Sequence, residues 1–203
     1  MLITDFKKHL NKQITGCIHI GAHHAEEKQI YNELGISKII WIDANPEYEE
    51  IIKKNTNNED LVIIRGVGNI KRKIDFNISN NGQSSSILEL GTHKYVHPDV
   101  VYVSKIEIQE DRMVDIFNEY NINPNEFNFL NLDIQGYELE AIKGFEDKIN
   151  NLDYIYTEVN QDLLYENCSL ITDIDEYLKK YSFVRVDTII TGYGWGDALY
   201  VKQ

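Results

Sequence analysis

The sequence predicts an α/β fold of the Rossmann-like class, with a mostly parallel sheet. Three features predict it. Short apolar runs alternate with amphipathic, helix-like segments along most of the chain. A glycine, Gly21, directly follows the first apolar run, as at the ligand-binding turn of doubly wound sheets. The last two apolar runs, "FVRVDTII" and "DALYVK", are joined by "TGYGWG" with no helix between them, which signals an antiparallel hairpin.

Each element follows from local chemistry. The stretch "MLITDFKKHLNKQ" reads as a lead-in helix over residues 1–14, with Leu2, Ile3, Phe6 and Leu10 on one side. "GCIHI" is the first strand, "AEEKQIYNEL" a helix stopped by Gly35, and "KIIWID" the second strand. In "NPEYEEIIKKN", Asn45 is a natural N-cap and Pro46 a natural first helical residue. "LVIIRGVG" is a third strand. "IDFNISNNGQSSSILEL" alternates and then turns, so residues 77–110 are expected to be an inserted loop and strand region. "DRMVDIFNEYNI" places Met113, Ile116, Phe117 and Tyr120 on one helical face. "FNFLNLDI" is a fourth main strand, and "YELEAIKGFEDKI" a helix carrying Leu139, Ile142 and Ile149. "DYIYTEV" is a fifth strand, and "ITDIDEYLKKY" a helix for which Thr172 is a candidate cap. A terminal hairpin separates two kinds of Rossmann-like domain. Nicotinamide-binding domains normally carry a last parallel strand, whereas the class I methyltransferase fold ends in a C-terminal antiparallel β-hairpin.

The bulk composition narrows the possibilities. A length of 203 residues at 42% hydrophobic content suits one well-buried domain spanning 1–203. No stretch approaches the ~20 apolar residues of a membrane span, and the N-terminal residues are too polar for a signal peptide. Cys17 and Cys168 form no disulfide framework, so a reducing, cytoplasmic setting is expected. A net charge of −13 argues against nucleic acid, which is held by clustered Lys and Arg. "KKN" and "KRK" are short, lie beside acidic segments and read as solvated faces. A small neutral or cationic substrate suits this surface better. Repeats, linkers and low-complexity segments are lacking.

Three strand ends carry the candidate chemistry. "IHIGAHHAEE" holds only the first glycine of G-x-G-x-x-G, which disfavours a pyrophosphate. Gly21 and the small Ala22 and Ala25 would let another ligand approach the backbone. In "WIDANP", Asp43 lies 22 residues beyond Gly21, close to the ~20-residue offset of a ribose-binding acid. Its bland role would be to cap the helix at Pro46, which Asn45 can do instead. Asp133 ends the fourth strand, and Gly136 lets the chain turn into the next helix. Ligands sit at the carboxyl ends of strands in such sheets, so Gly21, Asp43 and Asp133 are expected to converge.

Together these segments resemble the FkbM family of methyltransferases from about Cys17 onward. The resemblance rests on "IHIGAHHAEE", "WIDANPE", "GQSSSILE", "RMVDIF", "DYIYTEVN" and "GWGDALYVK", and above all on "NLDIQGYELEAIKGFE". That last segment is similar to the family signature of a hydrophobic residue, Asp-x-x-Gly-x-Glu, and a later hydrophobic–Lys–Gly step. The chain departs from the common pattern at His19, where an acid is usual, and at His23, where Asn is commoner. The resemblance implies O-methylation of a sugar or other small hydroxylated acceptor, with S-adenosylmethionine as donor. The implied cofactor contacts are Gly21, Ala22, His23, Asp43, Ala44 and Asp133. The candidate bases are Asp133 first, then Glu158, His23 and His24. Ser84, Ser85, Ser86 and His93 in the inserted region are candidate substrate contacts, as is Trp195. That region, with Glu89 and His97, would serve as a lid, or else be a hydroxyl-rich turn satisfying its own backbone. Asp133, Glu158 and the histidines are donors that Mg²⁺ accepts, but no compact metal-ligand spacing occurs, so no metal is expected. The alternatives are a nicotinamide-dependent oxidoreductase and a non-catalytic binding module on a methyltransferase fold. The short length leaves room for a homo-oligomer in which a partner completes the acceptor pocket.

Overall fold

The computed structural model describes residues 7–203. Its elements are β1 (Cys17–Ile20), α1 (Lys28–Glu33), β2 (Ile39–Asp43), α2 (Glu49–Asn55), β3 (Leu61–Ile64), β4 (Gly66–Val67), β5 (Arg72–Ser79) and α3 (His93–Val96). Then follow β6 (Tyr102–Asp111), α4 (Met113–Glu119), β7 (Phe129–Leu132), α5 (Glu138–Lys143), β8 (Tyr154–Asn160), α6 (Ile171–Lys179), β9 (Phe183–Ile190) and β10 (Trp195–Lys202). The main sheet has seven strands in the order β3-β2-β1-β7-β8-β10-β9. β1, β2, β3, β7 and β8 pair in parallel, and β10 runs antiparallel to both β8 and β9. This is the mostly parallel sheet with a terminal hairpin that the sequence predicts.

The central strands are apolar on both faces because both faces are covered. Ile18, Ile20, Ile40, Ile42, Leu130 and Leu132 point toward α4, α5 and α6, where Met113, Ile142 and Ile174 complete one core. Cys17, Ile39, Trp41 and Phe129 point the other way, onto Tyr31 of α1 and Ile52 of α2. Period-two alternation therefore sorts one strand's residues between two cores.

Several boundaries differ from the sequence reading. The third strand stops at Ile64, one residue before Arg65. The Arg65 backbone N–H donates to Asp43 O at 2.8 Å, and its guanidinium is held by Asp111 and Glu119, each at 2.9 Å. Gly66–Val67 then joins a separate three-stranded sheet, β4-β6-β5. The expected insertion at 77–110 thus begins inside β5, and it hides β6, which pairs antiparallel with β5 from Arg72↔Glu110 to Ser79↔Tyr102. Asn45 does accept from Glu47 N at 3.0 Å, but the residues it caps, Pro46–Tyr48, form a 3-10 turn before α2. Thr172 lies inside α6; Leu170 precedes that helix and donates its N–H to Asp173 at 2.8 Å. Tyr120 follows the last residue of α4 and is 36% exposed, so only Met113, Ile116 and Phe117 of the predicted face are buried. Of the lead-in helix, Leu2, Ile3 and Phe6 lie outside the described residues, and beyond them only residues 7–9 are helical, as one 3-10 turn. No helix among the described residues is long and apolar enough to cross a membrane.

Candidate active site

The three strand ends converge through backbone hydrogen bonds. Gly21 N and Ala22 N donate to Ile42 O at 2.9 and 3.0 Å, and Asp133 N donates to Ile20 O at 3.1 Å. Gly21 has φ +88°, and a Cβ there would lie 1.8 Å from Asp133 O. Only glycine allows this crossing. The turn's amides are consumed internally. His23 N and Asn45 N each donate to Asp43, both at 2.8 Å. His24 N donates to Glu26 at 3.1 Å and Ala25 N to Ala22 O at 2.7 Å. The small residues therefore make room for the chain crossing and offer no amide cradle to a ligand. Burial pushes the Asp43 carboxyl up to about 6, against the opposing pull of the Asn45 and His23 N–H groups. Each Asp43 oxygen has one backbone donor, which leaves acceptor capacity on both for ligand hydroxyls.

Two pockets meet at this junction. The first is a small cavity of about 70 Å³ lined by Asp43, Ala44, Val67, Phe76 and Ile134 among others. The second, about 570 Å³, is a wider cleft reaching His93, Tyr156, Glu158 and Trp195. Gly21, His23, Gln83, Asp133 and Gln135 line both. Ala22 faces the second pocket only, Ala44 the first only. The serine run divides: Ser85 lines the first pocket and Ser84 the second. Ser86 lines neither and is fully buried. Its hydroxyl donates to Gln135 O at 2.8 Å and accepts from Leu88 N at 3.0 Å. Ser85 donates to Gly82 O at 2.6 Å, and Ser84 accepts from Asn81 at 3.0 Å. The loop's hydroxyls are thus used largely on the loop itself.

Carboxylates gather where the pockets touch. Gln135 donates through Nε2 to Asp133 Oδ1 and Glu158 Oε2, both at 2.7 Å, and its Oε1 accepts from Tyr165 at 2.6 Å. Burial pushes Glu158 well above the usual carboxylate range, and the nearby Asp133 charge adds to it. Asp133 opens onto the cleft, yet surrounding protein raises its carboxyl above 3.8, while its hydrogen bonds to Glu158 and Gln135 oppose the rise. Ionised together the two would repel, which favours keeping a proton on one of them. Glu138 accepts from Ile134 N at 3.1 Å and Gly136 N at 3.0 Å. Burial lifts it to about 7. Asp197 stands opposite Glu158 across β10 and β8.

His23 reaches both pockets from a left-handed backbone (φ +44°), and its Nδ1 lies 2.8 Å from Glu26. With Nδ1–H donated to that carboxylate, Nε2 is left as the acceptor. His19, where an acid is usual, forms part of the cleft floor at 2% exposure. Tyr31 OH accepts from Asn131 at 2.6 Å and so turns its single proton toward His19 Nδ1 at 2.9 Å. Burial lowers the imidazole's pKa, so His19 is neutral. His93 lines the cleft with its Nδ1 buried and without a partner among the described residues. Trp195 packs beside Leu164, Tyr165 and Cys168 at the cleft wall. Gln135, Glu138 and Tyr165 were not singled out from sequence, whereas Asp197 was noted with Trp195 in "GYGWGDAL". Gln135 and Glu138 do stand inside the signature segment, which was the signal available.

Comparisons with known proteins agree with this architecture. The methyltransferase FkbM domain matches residues 19–185. Among curated protein sequences, none matches the chain. In structure the chain is similar to a Streptococcus pneumoniae protein described as a candidate tRNA (m1A22) methyltransferase, at 10% identity and a TM-score of 0.54, covering 100% of this chain and 69% of that one. It is also similar to a ribosomal protein L11 methylase from Lactobacillus delbrueckii subsp. bulgaricus, at 10% identity and a TM-score of 0.52, covering 99% and 77%. A third is magnesium protoporphyrin IX methyltransferase from Synechocystis, solved with bound S-adenosylmethionine, at 8% identity and a TM-score of 0.50, covering 100% and 74%. At these identities the likeness is one of fold.

Proposed function

The chain belongs to the FkbM methyltransferase family, and we propose that it transfers a methyl group from S-adenosylmethionine to a hydroxyl of a small, neutral or cationic acceptor such as a sugar. The observation that carries this reading is the shared wall of the two pockets at Gly21, His23, Asp133 and Gln135. A donor in one pocket and an acceptor in the other would meet there.

The first pocket suits the cofactor. Val67, Phe76 and Ile134 offer an apolar slot for the adenine, and Asp43 retains acceptor capacity for the ribose hydroxyls. When bound, S-adenosylmethionine supplies an electrophilic methyl on a cationic sulfonium. Asp133, on the shared wall, would favour that positive charge and position the acceptor oxygen. The Asp133–Glu158 pair takes the hydroxyl proton, because carboxylates with raised pKa are stronger bases near neutral pH. His23, with Nδ1 held by Glu26, is the second proton acceptor at the same wall. The cleft is lined by Glu26, Glu27, Asp133, Glu158 and Asp197 and, among the described residues, by no Lys or Arg. That lining favours a neutral or cationic acceptor over a phosphate-bearing one.

Calorimetric titration with S-adenosylhomocysteine and, separately, NAD⁺ tests the cofactor. Micromolar S-adenosylhomocysteine binding with no NAD⁺ response is expected. NAD⁺ binding alone would refute the reading. Methyl transfer to hydroxylated sugars and amino sugars, followed by mass spectrometry, then tests the acceptor. Methylation on nitrogen alone would refute O-transfer.

A further inference from the structure

Asp133 follows β7, Glu138 opens α5 and Glu158 lies on β8, so three separate elements bring three carboxylates together. One oxygen from each lies within 4.8 Å of the others. None of the three has a Lys or Arg within ion-pair distance among the described residues, although this chain pairs many of its other acids that way. Amide donors satisfy part of the cluster: the Gln135 side chain serves Asp133 and Glu158, and two backbone N–H groups serve Glu138 Oε1.

What is left over points to a ligand. Glu138 is 0% exposed, and its second oxygen, Oε2, is buried with no hydrogen-bond partner among the described residues. A buried carboxylate oxygen without a donor is unfavourable unless something positive reaches it. Asn160 shows the same need. It stands two residues beyond Glu158 on β8, hence on the same strand face. It is 0% exposed, and neither atom of its amide has a partner among the described residues.

We infer that Asp133, Glu138 and Glu158 form a binding site for one hard divalent cation, Mg²⁺ or Mn²⁺, at the junction of the two pockets. The chemistry fits. Such ions take carboxylate oxygens at ~2.1 Å, and oxygens up to about 4.8 Å apart can reach one ion with small side-chain adjustments. The cluster opens to the cleft on the Asp133 side, which leaves positions for water or an acceptor oxygen. Carboxylates bind a metal in their deprotonated form, so binding releases protons and tightens as pH rises. The site stands on this geometry alone. Its use rests on the methyl-transfer reading: a cation there would hold the acceptor hydroxyl and lower its pKa, so that a weaker base suffices.

The test is titration of the chelator-stripped protein with Mn²⁺ alone, reading free Mn²⁺ by electron paramagnetic resonance. One saturable site per chain is expected, with Kd at or below about 100 μM and tighter binding at pH 8 than at pH 6. Glu138→Gln and Glu158→Gln should each weaken it by about tenfold or more. Glu26→Gln, in the other group of potential ligands with His23 and His24, should leave it unchanged. No saturable binding to the wild-type chain below about 1 mM overturns the proposal. Binding indifferent to both cluster variants, or lost in Glu26→Gln, also overturns it. Parallel titration with S-adenosylhomocysteine separates the two readings. Cofactor binding without Mn²⁺ binding removes only the cation site, and Mn²⁺ binding without cofactor binding removes only the proposed function.

Discussion

Replacing Glu138 by Gln removes one buried charge from the carboxylate cluster and little else. Gln can keep an oxygen on the Ile134 and Gly136 N–H groups, and its NH₂ takes the place of the unpartnered Oε2. The magnitude follows from the displaced pKa. Burial raises Glu138 from 4.5 to about 7, a difference of about 2.5, which at ~1.4 kcal/mol each corresponds to about 3 kcal/mol. The sign is fixed by proton uptake. Between pH 4.5 and about 7 the folded chain holds this proton and the unfolded chain has released it, so stability falls as pH rises through that window. Above it the full cost is present; below pH 4.5 it is absent. Glu138→Gln does not bear that cost. Allowing for local relaxation, the variant should be more stable than wild type by about 2 kcal/mol at pH 8, or ~4–8 °C in Tm. The two should nearly coincide at pH 4.5. Scanning calorimetry in EDTA, which keeps any divalent cation from offsetting the charge, makes the measurement. A variant less stable than wild type at pH 8, or a gap of equal size at both pH values, would refute the reasoning.

Three further outcomes are expected. Asp43→Ala removes the acceptor of two backbone N–H groups and of the ribose hydroxyls, and should weaken S-adenosylhomocysteine binding by about ten- to a hundredfold in calorimetry; unchanged affinity would remove Asp43 from the site. Asp133→Asn should lower turnover by about a hundredfold or more while changing cofactor affinity only slightly, as measured by single-turnover methyl transfer beside calorimetry. Gly21→Ala places a Cβ against Asp133 O in a left-handed backbone, so it should cost about 2–4 kcal/mol in urea denaturation and abolish cofactor binding.

Much of this molecule was legible because its strands obey simple patterning. The five parallel strands and the hairpin are read from apolar runs and punctuating glycines, and Gly21, Asp43 and Asp133 converge as strand-end logic requires. β6 was not legible because it is only half buried: exposed Lys105 and Glu107 alternate with Ile106 and Ile108, and this mix reads equally well as loop. The fate of the turn's amides was also hidden, since nothing in "GAHHAEE" announces that Ile42 O and Asp43 take them. Glu138 stands in the signature segment, where nothing in its local sequence marks a role for it. Its neighbours Asp133 and Glu158 reach it from a strand end and from another strand, and that proximity is a property of the sheet's order. Local sequence signals report only on neighbours along the chain.

The position of β10 has a consequence for how the protein is made. This strand is the last element in order, yet it lies between β8 and β9 and supplies Leu199, Tyr200 and Val201 to both cores. While the chain is still emerging from the ribosome, β8 therefore waits with one edge unpaired, and β9 cannot join the main sheet at all. The nascent chain exposes a strand edge beside the acidic cleft until β10 is delivered. Productive folding is thus timed by the arrival of the hairpin's second arm, and a translational pause before it would lengthen the interval in which neighbouring nascent chains can pair edge to edge.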